Sequence, residues 1–199
     1  MSEALIHPEN LPIGSVGRKS SGWWGMLALI ATEAALFAYL LFSYFYLSTQ
    51  AHHNWFPTQK PALTLALPNT FILLASSFTA WWGEKGIRRG DRQRLLTGLG
   101  LTFVLGCIFA GIQLWEWHTK SFSFTDSVYA SMYYTITGFH MLHVFVGLLI
   151  LLCLLVWSWL GKFDSQRFSP VSTGIVYWHF VDIVWLAVFS TFYIFPYLD

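Results

Sequence analysis

The chain has 199 residues, of which 55% are hydrophobic and 19% aromatic, and only 11% are charged. Soluble globular domains carry about 25% charged residues, so this composition excludes an ordinary soluble domain and points to an integral membrane protein. Zinc-ligand spacings, phosphate-binding glycine loops, dinucleotide fingerprints and basic nucleic-acid patches do not occur.

Residues 1–21 are polar, with Pro8, Pro12, Gly14 and Gly17, and read as an N-terminal cytoplasmic arm. Arg18 and Lys19 precede an apolar run, as in a signal peptide. That run continues to about Thr49 and carries Glu33, whereas a signal core has about 7–15 apolar residues. It is therefore expected to be a retained first span, about 23–47. The second is expected at about 64–84, with Pro68 near its start, where a helix tolerates proline best. The third is expected at about 95–116. The fourth is expected at about 126–160, longer than the about 20 residues a bilayer needs, with Asp126 as its N-cap. The fifth is expected at about 170–197, Pro170 suiting a first turn and Pro196 a stop. Residues 22–199 are thus expected to form one all-α domain, an integral membrane bundle of five transmembrane helices.

Eight of the eleven tryptophans fall near these ends: Trp23, Trp24, Trp81, Trp82, Trp115, Trp117, Trp157 and Trp159. Aromatic belts at the membrane–water interface have this placement. With five spans, Arg18, Lys19, Lys85, Arg88, Arg89, Arg92, Arg94, Lys162 and Arg167 share one side, and Lys60 and Lys120 the other. Cytoplasmic loops carry the excess of Lys and Arg, so the expected orientation is N-terminus inside, C-terminus outside. Small residues mark expected packing faces: Ala28, Ala31, Thr32, Ala35 and Ala38; the pairs Gly106/Ala110 and Cys107/Gly111; and Gly138 and Gly147, which bracket two histidines. Cys107 and Cys153 sit in apolar runs and are expected to pack as small hydrophobes.

A few polar residues interrupt the spans. Glu33 lies about 15 Å into the first, close to mid-membrane. An ionised, unpaired acid there costs several kcal/mol, about 2.5–3.5 on insertion scales, so the residue is expected to be protonated. Three roles stay open for it: a structural hydrogen bond, a part in proton movement, and a polar lining for bound lipid. His140 and His143 share a face of the fourth span. They read as interhelical hydrogen-bonding groups, with a haem or metal site as the alternative. His179 and Asp182 share a face of the fifth, expected as an interhelical knot rather than a catalytic dyad. Glu116, His118 and Asp126 cluster at the outer ends of spans three and four and read as interfacial solvation and capping. Lys85, Arg88, Arg89, Arg92 and Arg94 form a basic inner loop that sets topology or meets anionic lipid, with Trp81, Trp82, Arg88 and Arg89 as the lipid candidates.

Five segments carry a family resemblance: Ala-Thr-Glu-Ala-Ala-Leu-Phe at 31–37, Pro-Asn-Thr-Phe-Ile-Leu-Leu-Ala-Ser-Ser at 68–77, Asp-Ser-Val-Tyr-Ala-Ser at 126–131, Gly-Phe-His-Met-Leu-His-Val-Phe-Val-Gly at 138–147, and Tyr-Trp-His-Phe-Val-Asp-Ile-Val-Trp at 177–185. In this order, and covering about residues 22–197, they resemble subunit III of the haem–copper respiratory oxidases, the cytochrome c oxidase subunit 3 family. The length resembles the five-helix bacterial members rather than the seven-helix form, which has two further N-terminal helices. The resemblance implies a non-catalytic subunit with no redox cofactor of its own, in a bacterial inner membrane. It implies packing on catalytic subunit I, which with its partners holds the haems and copper, and association through the complex with subunit II and cytochrome c. It also implies bound phospholipid in a cleft between a two-helix and a larger helix group, and sustained proton uptake during oxygen reduction. Glu33 matches the family's buried, carbodiimide-reactive glutamate, and His143 the second histidine of the segment near it. His179 and Asp182 match the C-terminal signature.

Three rivals stay open at this level. One is a related protein accompanying a nitric oxide reductase, which neighbouring genes would distinguish. Another is a free-standing proton-coupled transporter using Glu33, His143 and Asp182, against which the lack of an internal repeat counts. The third is a haem-b protein using His140 and His179, which an absorption spectrum would reveal.

Overall fold

The computed structural model describes residues 21–51, Trp55 and residues 63–198. The N-terminal arm with Arg18 and Lys19, and most of the 50–63 loop with Lys60, lie outside the described residues. Five long helices follow in order: α1 (Ser21–Gln50), α2 (Leu63–Ile87), α3 (Arg92–Thr119), α4 (Val128–Trp159) and α5 (Ser169–Phe189). A π-helical turn, Ser190–Ile194, extends α5 into the short α6 (Phe195–Leu198). The five are long and apolar enough to cross a membrane, counting α5 with its extension. The described residues contain no strand. Helices α1, α2, α3 and α5 with its extension overshoot their predicted spans by a residue to a few, because hydropathy falls at the interface before the backbone ladder ends, whereas α4 starts two residues and ends one residue inside its expected 126–160.

The π turn has a local cause. Pro196 cannot donate to the carbonyl four residues back and its ring crowds that carbonyl. The ladder widens just before it, with Phe195 N–H donating to Ser190 O. Proline here shifts the helix by a residue rather than stopping it. At the start of α4, Ser127 is the cap: its hydroxyl accepts from Ala130 N–H at 3.0 Å. Asp126, expected in that role, instead accepts from Ser123 N–H at 2.6 Å.

Helices α2, α3, α4 and α5 pack in a ring, each against the next, and α1 lies outside it against α4 and α5. The burial follows: α5 is the most enclosed helix, whereas α1 buries only Phe37 and Tyr44. Lipid is as apolar as leucine, so helix association here depends on close packing and on hydrogen bonds. Two devices supply the packing. Gly83 and Gly98 let α2 and α3 cross backbone to backbone; a Cβ at Gly98 would meet Gly83 Cα at 2.6 Å. Gly106 of α3 and Gly147 of α4 form a slot for the indole of Trp178, which would lie 2.7 and 2.8 Å from a Cβ at either position. The predicted small faces at Gly111 and Gly138 pack against nothing nearby. Cys107 and Cys153 are free and exposed on the outer surface, not packed inside; a thiol facing hydrocarbon leaves no strong hydrogen-bonding group unsatisfied, so burial is not required.

The ends of α3 and α4 beside the 88–91 turn are tied by charge. Asp91 caps α3 through Arg94 N–H at 2.9 Å. Arg92 reaches across to the carbonyls at the end of α4, bonding Ser158 O at 2.8 Å and also Trp159 O. Orphan carbonyls at a helix C-terminus favour such a cation. The basic 85–94 loop thus has a packing role that charge counting alone does not show.

Candidate functional site

Glu33 stands twelve residues into α1, about 18 Å from its N-terminal end. Its Oε2 lies 3.1 Å from Nε2 of His143 on α4. The other ring nitrogen, Nδ1, is 2.7 Å from the carbonyl of Phe139. A carbonyl can only accept, so Nδ1 carries a proton. In the neutral ring Nε2 is then a bare lone pair, and Glu33 can satisfy it only by donating an acid proton. Phe37 packs edge-on against His143, with centroids 5.0 Å apart.

The pair opens onto a cleft of about 350 Å³ lined by Leu29, Leu36, Phe139, Leu142, Val146, Ile150 and Tyr177. Val146 and Ile150 continue into a second apolar groove of about 610 Å³. That groove runs between α1, α4 and α5 past Cys153, Leu154 and Trp157 to Ser169 and Pro170 at the N-terminal end of α5. The Glu33 side chain is 30% exposed and His143 only 11%, so the acid borders the groove while the imidazole backs it.

His140 is fully buried, its ring enclosed by Phe37, Phe109 and Trp185. Nε2 donates to Val181 O at 3.2 Å. No face of this ring is open to a haem. His179 and Asp182 do form an interhelical knot, closed by a residue the sequence reading did not single out: Ser77 of α2. Its Oγ lies 2.7 Å from His179 Nδ1 and donates to Asp182 Oδ2. Nearby, Trp178 Nε1 donates to Ser76 Oγ at 2.9 Å, and Trp185 Nε1 to Thr70 Oγ1 at 3.0 Å. The 68–77 segment thus supplies hydroxyls to the Tyr177–Trp185 segment. Among the described residues no group of three His, Cys, Asp or Glu side chains is arranged to hold a metal ion.

The basic residues from Lys85 to Arg94 are largely committed. Lys85 Nζ sits 3.6 Å over the Trp81 ring and Arg94 4.6 Å over Trp82. Arg88 pairs with Glu84 at 2.7 Å and lies over Phe168; Glu84 also accepts from Ser172 at 2.5 Å. Arg89 is exposed.

At the C-terminal end of α3 the structure departs from the solvation expected for Glu116. This residue is buried and its Oε1 accepts from Tyr193 Oη at 2.6 Å and from Lys120 Nζ at 2.8 Å. Tyr133 and Tyr193 hydroxyls lie 3.0 Å apart, and Lys120 lies over both rings. The four-residue step from Glu116 to Lys120 was the available signal. Tyr193 arrives through the π turn, which no sequence period announces. His118 is exposed, as expected.

The family model for cytochrome c oxidase subunit III matches residues 17–197. A cytochrome c oxidase subunit 3 of Thermostichus vulcanus is 33% identical over 174 residues, covering 85% of this chain and 85% of that protein. One of Coturnix japonica is 37% identical over 177 residues, covering 85% of this chain and 68% of that protein. A Nocardia farcinica protein named "Probable cytochrome c oxidase subunit 3" is 35% identical over 185 residues, 91% of each chain. Five membrane-length apolar helices, the Gly-Phe-His-Met-Leu-His segment meeting Glu33, and a match over nearly the whole length have one reading: the chain belongs to the cytochrome c oxidase subunit III family.

Proposed function

We propose that this oxidase subunit stabilises catalytic subunit I of an aerobic haem–copper terminal oxidase in a bacterial inner membrane, holds phospholipid, and sustains proton uptake during oxygen reduction. The observation that carries the reading is the Glu33–His143 pair at the edge of a continuous apolar groove. An acid bonded to an imidazole and facing acyl-chain space can exchange a proton without an ionised group standing alone in hydrocarbon. The groove's inner mouth at Ser169 and Pro170 follows Phe168, on which Arg88 lies. A headgroup there would meet Arg88 and the uncommitted Arg89, with Trp81 and Trp82 at the same inner end of α2. The groove described here lies between α1 and the four-helix ring.

The chain is read as holding no haem or metal itself, the redox groups belonging to subunit I and its partners. Purification of the tagged chain from its own membranes tests the reading: a large haem- and copper-containing subunit is expected to accompany it. Transport by the chain alone, or a Soret band stoichiometric with the isolated chain and lost in His140→Ala, would defeat it.

The proposed orientation puts the 88–91 turn on the cytoplasmic side. Arg89→Cys, in a background lacking Cys107 and Cys153, is expected to resist an impermeant thiol reagent in intact spheroplasts and to react after lysis. Labelling before lysis would invert the topology.

A further inference from the structure

We propose that the α2–α5 seam around His179 is the face on which a transmembrane helix of the large catalytic subunit docks, and that this helix donates a side-chain hydrogen bond to His179 Nε2. The proposal rests on the subunit reading above and names the surface through which it operates.

The hydrogen-bond directions in the Ser77–His179–Asp182 knot fix what this surface offers. Ser77 has one hydroxyl proton and gives it to Asp182. Its oxygen therefore accepts from His179, and the 2.7 Å contact is Nδ1–H donating to Ser77 Oγ. Nε2 is left as the lone pair of a neutral imidazole, with no partner among the described residues. The His179 side chain is 34% exposed while Asp182 behind it is 4% exposed. The ring is thus tied at its inner nitrogen and presents the other outward. His140 and His143, by contrast, spend both their burial and their outer nitrogens inside the bundle or on Glu33.

Everything around that nitrogen is apolar. On α5 the outward stripe is Val176, His179, Ile183 and Leu186, at helical spacing. On α2, Leu74 and Phe78 are exposed beside Ser77. His179 is ten residues into α5, about 15 Å from its inner end and hence within the hydrocarbon. Polar groups at this depth face other helices and have partners, and a single hydrogen bond amid apolar packing is how membrane helices associate.

Hydrogen-bond complementarity selects the occupant. Acyl chains carry no donor and would leave Nε2 unpaired. A second copy meeting this face about a two-fold axis would set one lone pair against another. A helix bearing a hydroxyl, amide or indole N–H fits.

The test uses the full complex in its own membranes. A photo-cross-linking residue is placed at Ile183, which is 66% exposed on the seam, and at Val104, exposed on α3. Ile183 is expected to cross-link to the large subunit and Val104 not to. His179→Leu is expected to lower the large subunit recovered with the tagged chain about tenfold, and His179→Gln, whose amide can occupy the Nε2 position, to restore most of it. Cross-linking from Ile183 to anything but the large subunit, or undiminished recovery with His179→Leu, overturns the docking face while leaving the subunit reading intact. Absence of any large subunit with the unaltered chain overturns both.

Discussion

Trp178→Ala is expected to destabilise the bundle by about 3 kcal/mol, within the range for emptying a buried aromatic site. The indole is fully buried and fills the slot made by Gly106 and Gly147, with Leu148 also beside Gly106. Three helices meet on it, since Gly106 belongs to α3, Gly147 to α4 and Trp178 to α5. Lipid reduces the transfer part of the loss, because the unfolded reference is also apolar. The cavity part stays: an acyl chain cannot enter a closed slot, and the lining atoms lose their contacts outright. The polar end adds to it. Ser76 Oγ accepts the indole N–H while donating to Leu73 O. Trp178→Phe is therefore expected to recover part of the packing but not the hydrogen bond, and to fall between wild type and alanine. Unfolding in mixed micelles with rising denaturing detergent measures the order. Equal stability of the alanine and wild-type proteins would mean the slot is filled by something other than Trp178.

The complementary substitution isolates shape from chemistry. Gly147→Leu places a side chain where the indole already lies, so the two cannot both occupy the slot. Overpacking costs about 1–3 kcal/mol and sometimes more. Here relief requires α4 and α5 to separate, so its effect is expected at the top of that range, measured by the same unfolding series.

These residues show why part of the fold was legible in the sequence and part was not. Span number, order and approximate ends follow from hydropathy, tryptophan placement and basic residues, all of which report the surrounding solvent rather than the neighbouring helix. The chain's own packing is a different matter. Gly106, Gly111, Gly138 and Gly147 look alike in sequence, yet only Gly106 and Gly147 face an indole. Which small residue meets a partner depends on helix rotation, and in a span apolar all round nothing in the period fixes that rotation. The knot at His179 was visible as two residues on one face. Its third member, Ser77, lies 102 residues away on another helix. Glu116 was misjudged for a related reason: proximity to a span end suggests solvent, while the π turn brings Tyr193 over it and closes the site.

Glu33→Gln is expected to leave assembly intact and shorten the catalytic life of the complex several-fold, and the reason lies in the direction of one hydrogen bond. His143 Nδ1–H is held by the Phe139 carbonyl at 2.7 Å, so Nε2 needs a proton from its partner. Two arrangements supply it. In the neutral pair, Glu33 is an acid donating to the imidazole. In the ionic pair, an imidazolium donates to a carboxylate, and both charges must be held beside an apolar groove. Attraction between two desolvated charges often fails to recover their solvation, and a third of the acid's surface faces hydrocarbon rather than water. The neutral pair is therefore expected. The glutamine amide donates to Nε2 as the acid does and fills nearly the same volume, so packing and partner binding should persist. What it lacks is a proton that can leave. Glu33→Ala leaves Nε2 bare in a part-buried site, a loss of about 1–3 kcal/mol, and is expected to weaken assembly as well as turnover. Infrared difference spectra should show a protonated carboxylic C=O band that is absent from the glutamine variant. A carboxylate signature in its place would establish the ionic pair. A glutamine variant that assembles, and then sustains turnover as long as the unaltered complex, would show that the acid only packs and that proton uptake passes elsewhere.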